Sequence, residues 1–223
     1  MSQPMSIRRR GFLGWLAAGA AAMTASAIPS PARAANAVRA FGDDPDHWLD
    51  ALHGKHRQIF DVLSPDKAAL GAAFARNFLN ANNNGYNLAD ADVNVVLSFR
   101  HASFAMGLND AMWSKYALGE LVGYQDPHAN APAVINTSAG SPGDTAKNSA
   151  TLSALHARGA VFTVCGMAMA LYAGQAAHHT GGDMNTVMTD FRDNLVPGAT
   201  EVVAGVIAVN RAQERGLSYV YVG

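Results

Sequence analysis

Residues 160–175 read AVFTVCGMAMALYAGQ. The run Ala160–Cys165 is short, apolar and rich in β-branched residues, as a buried strand should be. Gly166 follows at once, and Met167–Gln175 continues in good helix formers, so a helix begins where the strand stops. The strand's last residue is Cys165, the only cysteine among 223 residues. A thiol there lies at the carboxyl end of a strand and before the positive end of a helix dipole, and both favour a bound ligand or a reactive thiolate.

Working outward, the same alternation recurs. Lys55–Leu63 (KHRQIFDVL) reads as a first strand, and Ser64-Pro65-Asp66 reads as an N-cap followed by proline at a first helical position. Leu70, Ala73, Phe74, Asn77, Phe78 and Ala81 recur at helical spacing, and that helix should end in the cluster NANNNGY. Val93–Phe99 (VNVVLSF) is apolar enough for a strand covered on both faces, with Arg100-His101 closing it. A helix is predicted over 108–124, capped by Asn109, and a long loop over 125–143, where Pro, Ala, Asn, Ser and Gly dominate. Asp144 or Thr145 should start the next helix, with Gly159 stopping it.

After the 160–175 stretch, Gly181-Gly182-Asp183 resets the chain. A helix over 184–195, a strand over 200–203, a helix ending at Gly216 and a strand over 218–222 complete the count. Five alternating strands and helices predict an α/β fold with a mostly parallel sheet flanked by helices on both faces.

The first 34 residues stand apart. Arg8, Arg9 and Arg10 precede a mildly apolar, Ala-rich segment that ends in Ala32-Arg33-Ala34, the pattern of a cleavable signal peptide. Its glycines, threonine and serines make it a poor span, so no stable membrane insertion is expected after cleavage. RRGFLG at Arg9–Gly14 resembles the twin-arginine export signal, which implies export of the folded protein to the periplasm. Cleavage would remove four arginines and no acid, taking the formal charge from −1 to −5. A chain of that sign is not expected to bind nucleic acid. Residues 35–54 then read as an N-terminal arm and 55–223 as one α/β domain with the 125–143 loop inserted. A lone cysteine in an oxidising compartment has no intrachain disulfide to form.

The sequences ARGAVFTVCGMAM and LVPGATEVVAGVIAVNRAQERGLSYVYVG resemble the DsrE/DsrF-like sulfur-relay superfamily. Asn77 in its helix and the FRH before Ala102 match more loosely, with Ala102 standing where exported members carry glycine. The resemblance implies a five-stranded, flavodoxin-like sheet in which the first three strands run in the order 2-1-3. It also implies a trimer or hexamer and, in some relatives, a cysteine that carries sulfur as a persulfide.

Cys165 and His101 are therefore the candidate catalytic residues, Cys165 as thiolate or persulfide carrier and His101 as base or orienting partner. With strand order 2-1-3 they lie two strands apart, ~10 Å between backbones, where they would share a ligand but barely touch. His178 and His179 are separated from Cys165 by about twelve helical residues, a rise of ~18 Å, so they do not share a metal with it. Met167 and Met169 face different sides of the helix and read as core. His53 and His56 lack a second ligand pair at zinc spacing. His47, His128 and His156 read as solvent or loop residues. One reading of NDAMWSKY has Asp110, Trp113 and Lys115 lining a pocket beside the second strand; the favoured one has Trp113 as helix packing and the two charges facing solvent. There is no GxGxxG, GxxxxGK[ST] or GxSxG, so no cofactor, metal or nucleotide is expected.

The expected function is a periplasmic sulfur carrier using Cys165, with a donor or acceptor protein or a small thiol as partner. The alternatives are a non-catalytic small-molecule or metal-binding module, with the 125–143 loop covering a pocket, and a structural assembly protein.

Overall fold

The computed structural model describes residues 44–141 and 143–223; the expected signal peptide and residues 35–43 of the arm lie outside the described residues. The described part of the arm is a 3-10 turn, His47–Ala51, that buries Trp48 and Leu49.

Five strands, β1 (His56–Val62), β2 (Val93–Phe99), β3 (Val161–Cys165), β4 (Ala199–Val202) and β5 (Ser218–Val222), form one all-parallel sheet. The α/β class is as the sequence predicts. The strand order is β4-β3-β2-β1-β5, not one beginning 2-1-3, so β2 lies between β1 and β3. From β1 to β4 every crossover steps to the next strand in the same direction. Right-handed connections then place those helices on one face, and only the return from β4 to β5 puts a helix on the other.

Helix α1 (Ala68–Tyr86) joins β1 to β2, and α2 (Asp110–Lys115), α3 (Leu118–Leu121) and α4 (Leu152–Ala157) lie between β2 and β3. Helices α5 (Gly166–Thr180) and α6 (Met184–Asp193) join β3 to β4, and α7 (Gly205–Glu214) makes the return to β5. The larger core, with Phe60, Leu97, Phe99, Phe162 and Phe191, lies on the face of α1 and α5. The smaller one packs Trp48, Leu52, Ile59 and Val96 against Ala208 and Ala212 of α7. Strand alternation assigns Asp61, Ser98 and Thr163 to this second face. Among the described residues no helix is long and apolar enough to cross a membrane.

The apolar spacing in α1 marks the wrong side of the helix. Leu70 and Phe74 are exposed, while Ala68, Gly71, Ala72, Ala75 and Leu79 are buried. Small residues let the helix approach the sheet: a Cβ on Gly71 would come within 2.9 Å of Val62 Cγ2. The helix also runs through the Asn cluster, ending at Tyr86 with Asn87 in the left-handed region. Asn80 and Asn83 stay helical because their side chains accept hydrogen bonds from Arg158.

The segment between β2 and β3 departs most from expectation. Asn109 caps α2, accepting the Met112 amide at 3.3 Å, but the predicted 108–124 helix breaks at Ala117, whose φ is +48°. The next helix starts at Leu152, not at Asp144 or Thr145, because Thr151 caps it. Asp144 instead accepts the hydroxyls of Ser149 and Thr151 at 2.6 and 2.8 Å. The 125–143 loop is tied down by buried Asn136, which donates to the carbonyls of Met106 and Leu108. Arg158, also buried, holds Asp90 through two bonds of 3.0 and 2.9 Å and fastens α4 to the end of α1.

Candidate functional site

The strands β3 and β4 deliver their crossovers to opposite faces: β3 leads into α5 on the larger core and β4 into α7 on the smaller. Their carboxyl ends therefore form the topological switch point, the usual ligand crevice of an open parallel sheet. Cys165 stands there. It is 8% exposed, and as the N-cap of α5 it accepts the Ala168 amide on Sγ at 3.4 Å. The sequence-predicted strand-to-helix junction and the thiol within it are as read.

Its neighbour is Arg100. A Cβ placed on Gly205, the first residue of α7, would lie 2.5 Å from the Cβ of Arg100 and 3.3 Å from that of Cys165. One glycine thus brings α7 down onto the ends of both β2 and β3. Ala204, at the N-cap of α7, offers no side-chain cap, so that helix end keeps its partial positive charge facing the site.

His101 is one residue further on. Since β2 and β3 are adjacent, the two candidates end neighbouring strands about 4.8 Å apart, closer than the expected two-strand gap. His101 is exposed and its φ is +54°, while Ala102 is buried and outside the left-handed region. The unusual backbone therefore falls on the histidine and not on the residue that replaces glycine. Ser103 fixes the turn, its hydroxyl bonding the carbonyls of Val62 at 2.5 Å and Arg100 at 2.8 Å. A strained residue held this firmly is a mark of functional sites.

The guanidinium of Arg100 reaches across to β1. Its Nε and Nη2 donate to the two oxygens of Asp61 at 2.6 and 2.8 Å, and the hydroxyl of Tyr219 on β5 donates to the same carboxylate at 2.8 Å. Asp61 is fully buried. The hydrogen bond to Asp61 raises Arg100 above the usual guanidinium value, while burial, and then the bond to Asp61, raises Tyr219 above an ordinary tyrosine. Beneath them, Ser98 and Thr163 face each other in register with no exposure, and neither hydroxyl has a hydrogen-bond partner among the described residues.

The other candidates lie elsewhere. His178 and His179 are exposed in the last turn of α5, and no three metal-ligating residues gather among the described residues. His56 opens β1 and is exposed, as are His47, His53, His128 and His156. Met169 is core, but Met167 is 66% exposed, correcting its reading as a packing residue. Trp113 is buried, donating to the Ala105 carbonyl at 2.9 Å. Asp110 and Lys115 do not simply face solvent: Asp110 accepts the Asn136 amide, and Lys115 pairs with Asp190 at 2.6 Å.

Sequence reasoning missed Asp61, Arg100 and Tyr219. The one available signal was Asp61, a carboxylate inside the apolar run IFDV, which must find a partner if that strand is buried. Which cation it would find depends on strand order.

No protein-family model matches the chain, and no curated protein resembles it significantly.

Proposed function

We propose that Cys165 accepts a sulfur atom and hands it on, as a persulfide carrier of the DsrE/DsrF-like kind, in a protein exported by the twin-arginine route. The observation that carries this is the placement of the only thiol at the switch point, on the N-cap of α5 and beside the N-terminus of α7. Two helix N-termini stabilise negative charge on the sulfur, whether thiolate or persulfide.

The step balances without an added oxidant. The Cys165 thiolate attacks the outer sulfur of a donor R–S–S⁻ or of a thiosulfonate, the Sγ–S bond forms and the donor S–S bond breaks. The leaving thiolate or sulfinate departs with the electron pair. An acceptor thiolate repeats the exchange in the other direction. With no second cysteine in the chain, the persulfide is not consumed by an internal disulfide.

Intact-mass spectrometry after exposure to a sulfane-sulfur donor is the test. An added mass of about 32 Da, absent in Cys165→Ser and removed by a small thiol, is the expected result. An unmodified Cys165 in folded protein over a range of donors would overturn it. Self-association is part of the proposal, supported by the exposed pair Leu70 and Phe74 one turn apart on α1.

A further inference from the structure

We infer that Arg100 is an anion-recognising residue one strand away from the thiol, so that the compound reacting at Cys165 is a small one that carries a negative group. This rests on the sulfur-carrier reading of Cys165 but is carried by separate observations.

The guanidinium is held at one edge only. Asp61 takes Nε and Nη2, leaving Nη1 without a partner among the described residues, and the side chain is 24% exposed. Asp61 is itself 1% exposed in its side chain and steadied by Tyr219, so the charge of Arg100 is fixed in place. A buried ion pair adds little to stability compared with apolar residues of the same volume, so stability alone does not explain it. A guanidinium with a free edge is suited to planar and tetrahedral oxyanions.

The surroundings point the same way. The uncapped first turn of α7 lies against both Arg100 and Cys165 through Gly205. On the same face, two residues before each of them, are the hydroxyls of Ser98 and Thr163, fully buried and unpartnered. Leaving a buried hydroxyl without a partner forfeits the hydrogen bonds it had in water. Two side by side beneath a cation and a helix N-terminus indicate a site built to receive a polar group. Sulfite, thiosulfate and the carboxylate of a small thiol share the required chemistry.

The test uses two alkylating reagents of the same size, iodoacetate and neutral iodoacetamide, on the folded full domain. Each forms an Sγ–C bond at Cys165 and releases iodide, and neither requires sulfur transfer. The ratio of their rate constants reads anion recognition directly, since any change in thiolate reactivity affects both. Arg100→Gln is expected to lower the iodoacetate-to-iodoacetamide ratio about tenfold, between the effect of one charge pair in bulk water and that of a close pair near a protein surface. Arg100→Lys should preserve most of it, and sulfate, which iodoacetate does not alkylate, should compete with iodoacetate in the wild type.

Arg100→Gln leaves Asp61 buried and unpaired, so the double variant Asp61→Asn with Arg100→Gln provides a folded control and should lose the preference as well. A ratio unchanged in the folded double variant, or no alkylation of native protein by either reagent, overturns the inference. An Arg100-dependent ratio in a protein that never acquires sulfur leaves the anion site standing and removes the carrier function. Persulfide formation with an Arg100-independent ratio does the reverse. Among unreactive anions, competition by sulfate without competition by propionate assigns the site to sulfur oxyanions, and the opposite result assigns it to carboxylates.

Discussion

Arg100 and Cys165 end neighbouring strands, and their Cβ atoms meet at Gly205. The thiol's strand and the arginine's stem therefore meet the same turn of α7, with the guanidinium turned away to Asp61 on β1, and the contact has no room for a methyl group. Positions of the two residues are coupled through the backbone of a helix that starts just after the edge strand β4 and crosses to β5 at the other edge of the sheet.

Gly205→Ala should be costly for that reason. Its Cβ would stand 2.5 Å from a carbon that cannot swing aside, being Arg100 Cβ. Overpacking of this kind costs about 1–3 kcal/mol, measurable by urea denaturation. The rate of Cys165 alkylation should change with it, since the first turn of α7 must lift. Wild-type stability and reactivity in this variant would mean that the contact does not hold the site together.

His101→Gly separates backbone from side chain. A left-handed non-glycine residue costs roughly 1 kcal/mol, which glycine relieves at the expense of unfolded-state freedom. Stability should therefore stay within about 0.5 kcal/mol of wild type, while His101→Val should lower it by 1 kcal/mol or more, about the cost of placing a β-branched residue there. If the imidazole serves the thiol, sulfur loading falls in the glycine variant although the fold is intact. Unchanged loading removes His101 from the chemistry.

Asp90 supplies a pH dependence of known sign. The hydrogen bond from Arg158 holds its carboxyl below the ordinary value. Between the unfolded value near 3.9 and the lower folded one, the unfolded chain binds more protons, so stability rises with pH. The contribution is complete at neutral pH and disappears as pH falls through the folded value. The stability difference between wild type and Asp90→Asn should shrink over that acid window and be flat from pH 6 to 8. Arg158→Met at pH 7 should cost about 1.5–3 kcal/mol, because it removes charged hydrogen bonds to a part-exposed carboxylate and two asparagines.

Leu70→Lys with Phe74→Lys tests self-association. Both side chains are exposed, 44% and 38%, so the substitutions should leave the fold unchanged by circular dichroism. Light scattering should show an oligomer for the wild type and a smaller species for the variant. A monomeric wild type at tens of micromolar would end the self-association proposal.

The sequence made some of these features legible and not others, for physical reasons. Val93–Phe99 and Ser218–Val222 match their predicted bounds because both are short β-branched or aromatic runs between turn residues. The Cys165 junction was equally local. Strand order is not local, and it decided which residues met: Asp61 and Arg100 are 39 positions apart, and Asp61 and Tyr219 are 158 apart. In α1, α5 and α7 the helices bury alanine and glycine and expose Leu70, Met167 and Val206, so a reading that equates large apolar residues with the core selects the outer side. Within 108–151 the Asn109 cap was legible, but the break at Ala117 and the late helix start were not, because Asp144 binds the hydroxyls of Ser149 and Thr151 and leaves Thr151 to cap the helix.

Tyr219 reaches Asp61 from a strand that pairs only with β1. A growing chain that has not yet produced β5 therefore has β1 as an open edge, with its buried carboxylate lacking one of its two donor residues. The thiol, the arginine and the helix that joins them are all synthesised earlier. Completion of the site is thus timed by β5, and a premature stop at any of Leu217, Ser218 or Tyr219 yields a chain that holds the reactive sulfur without the tyrosine that steadies its neighbour's partner.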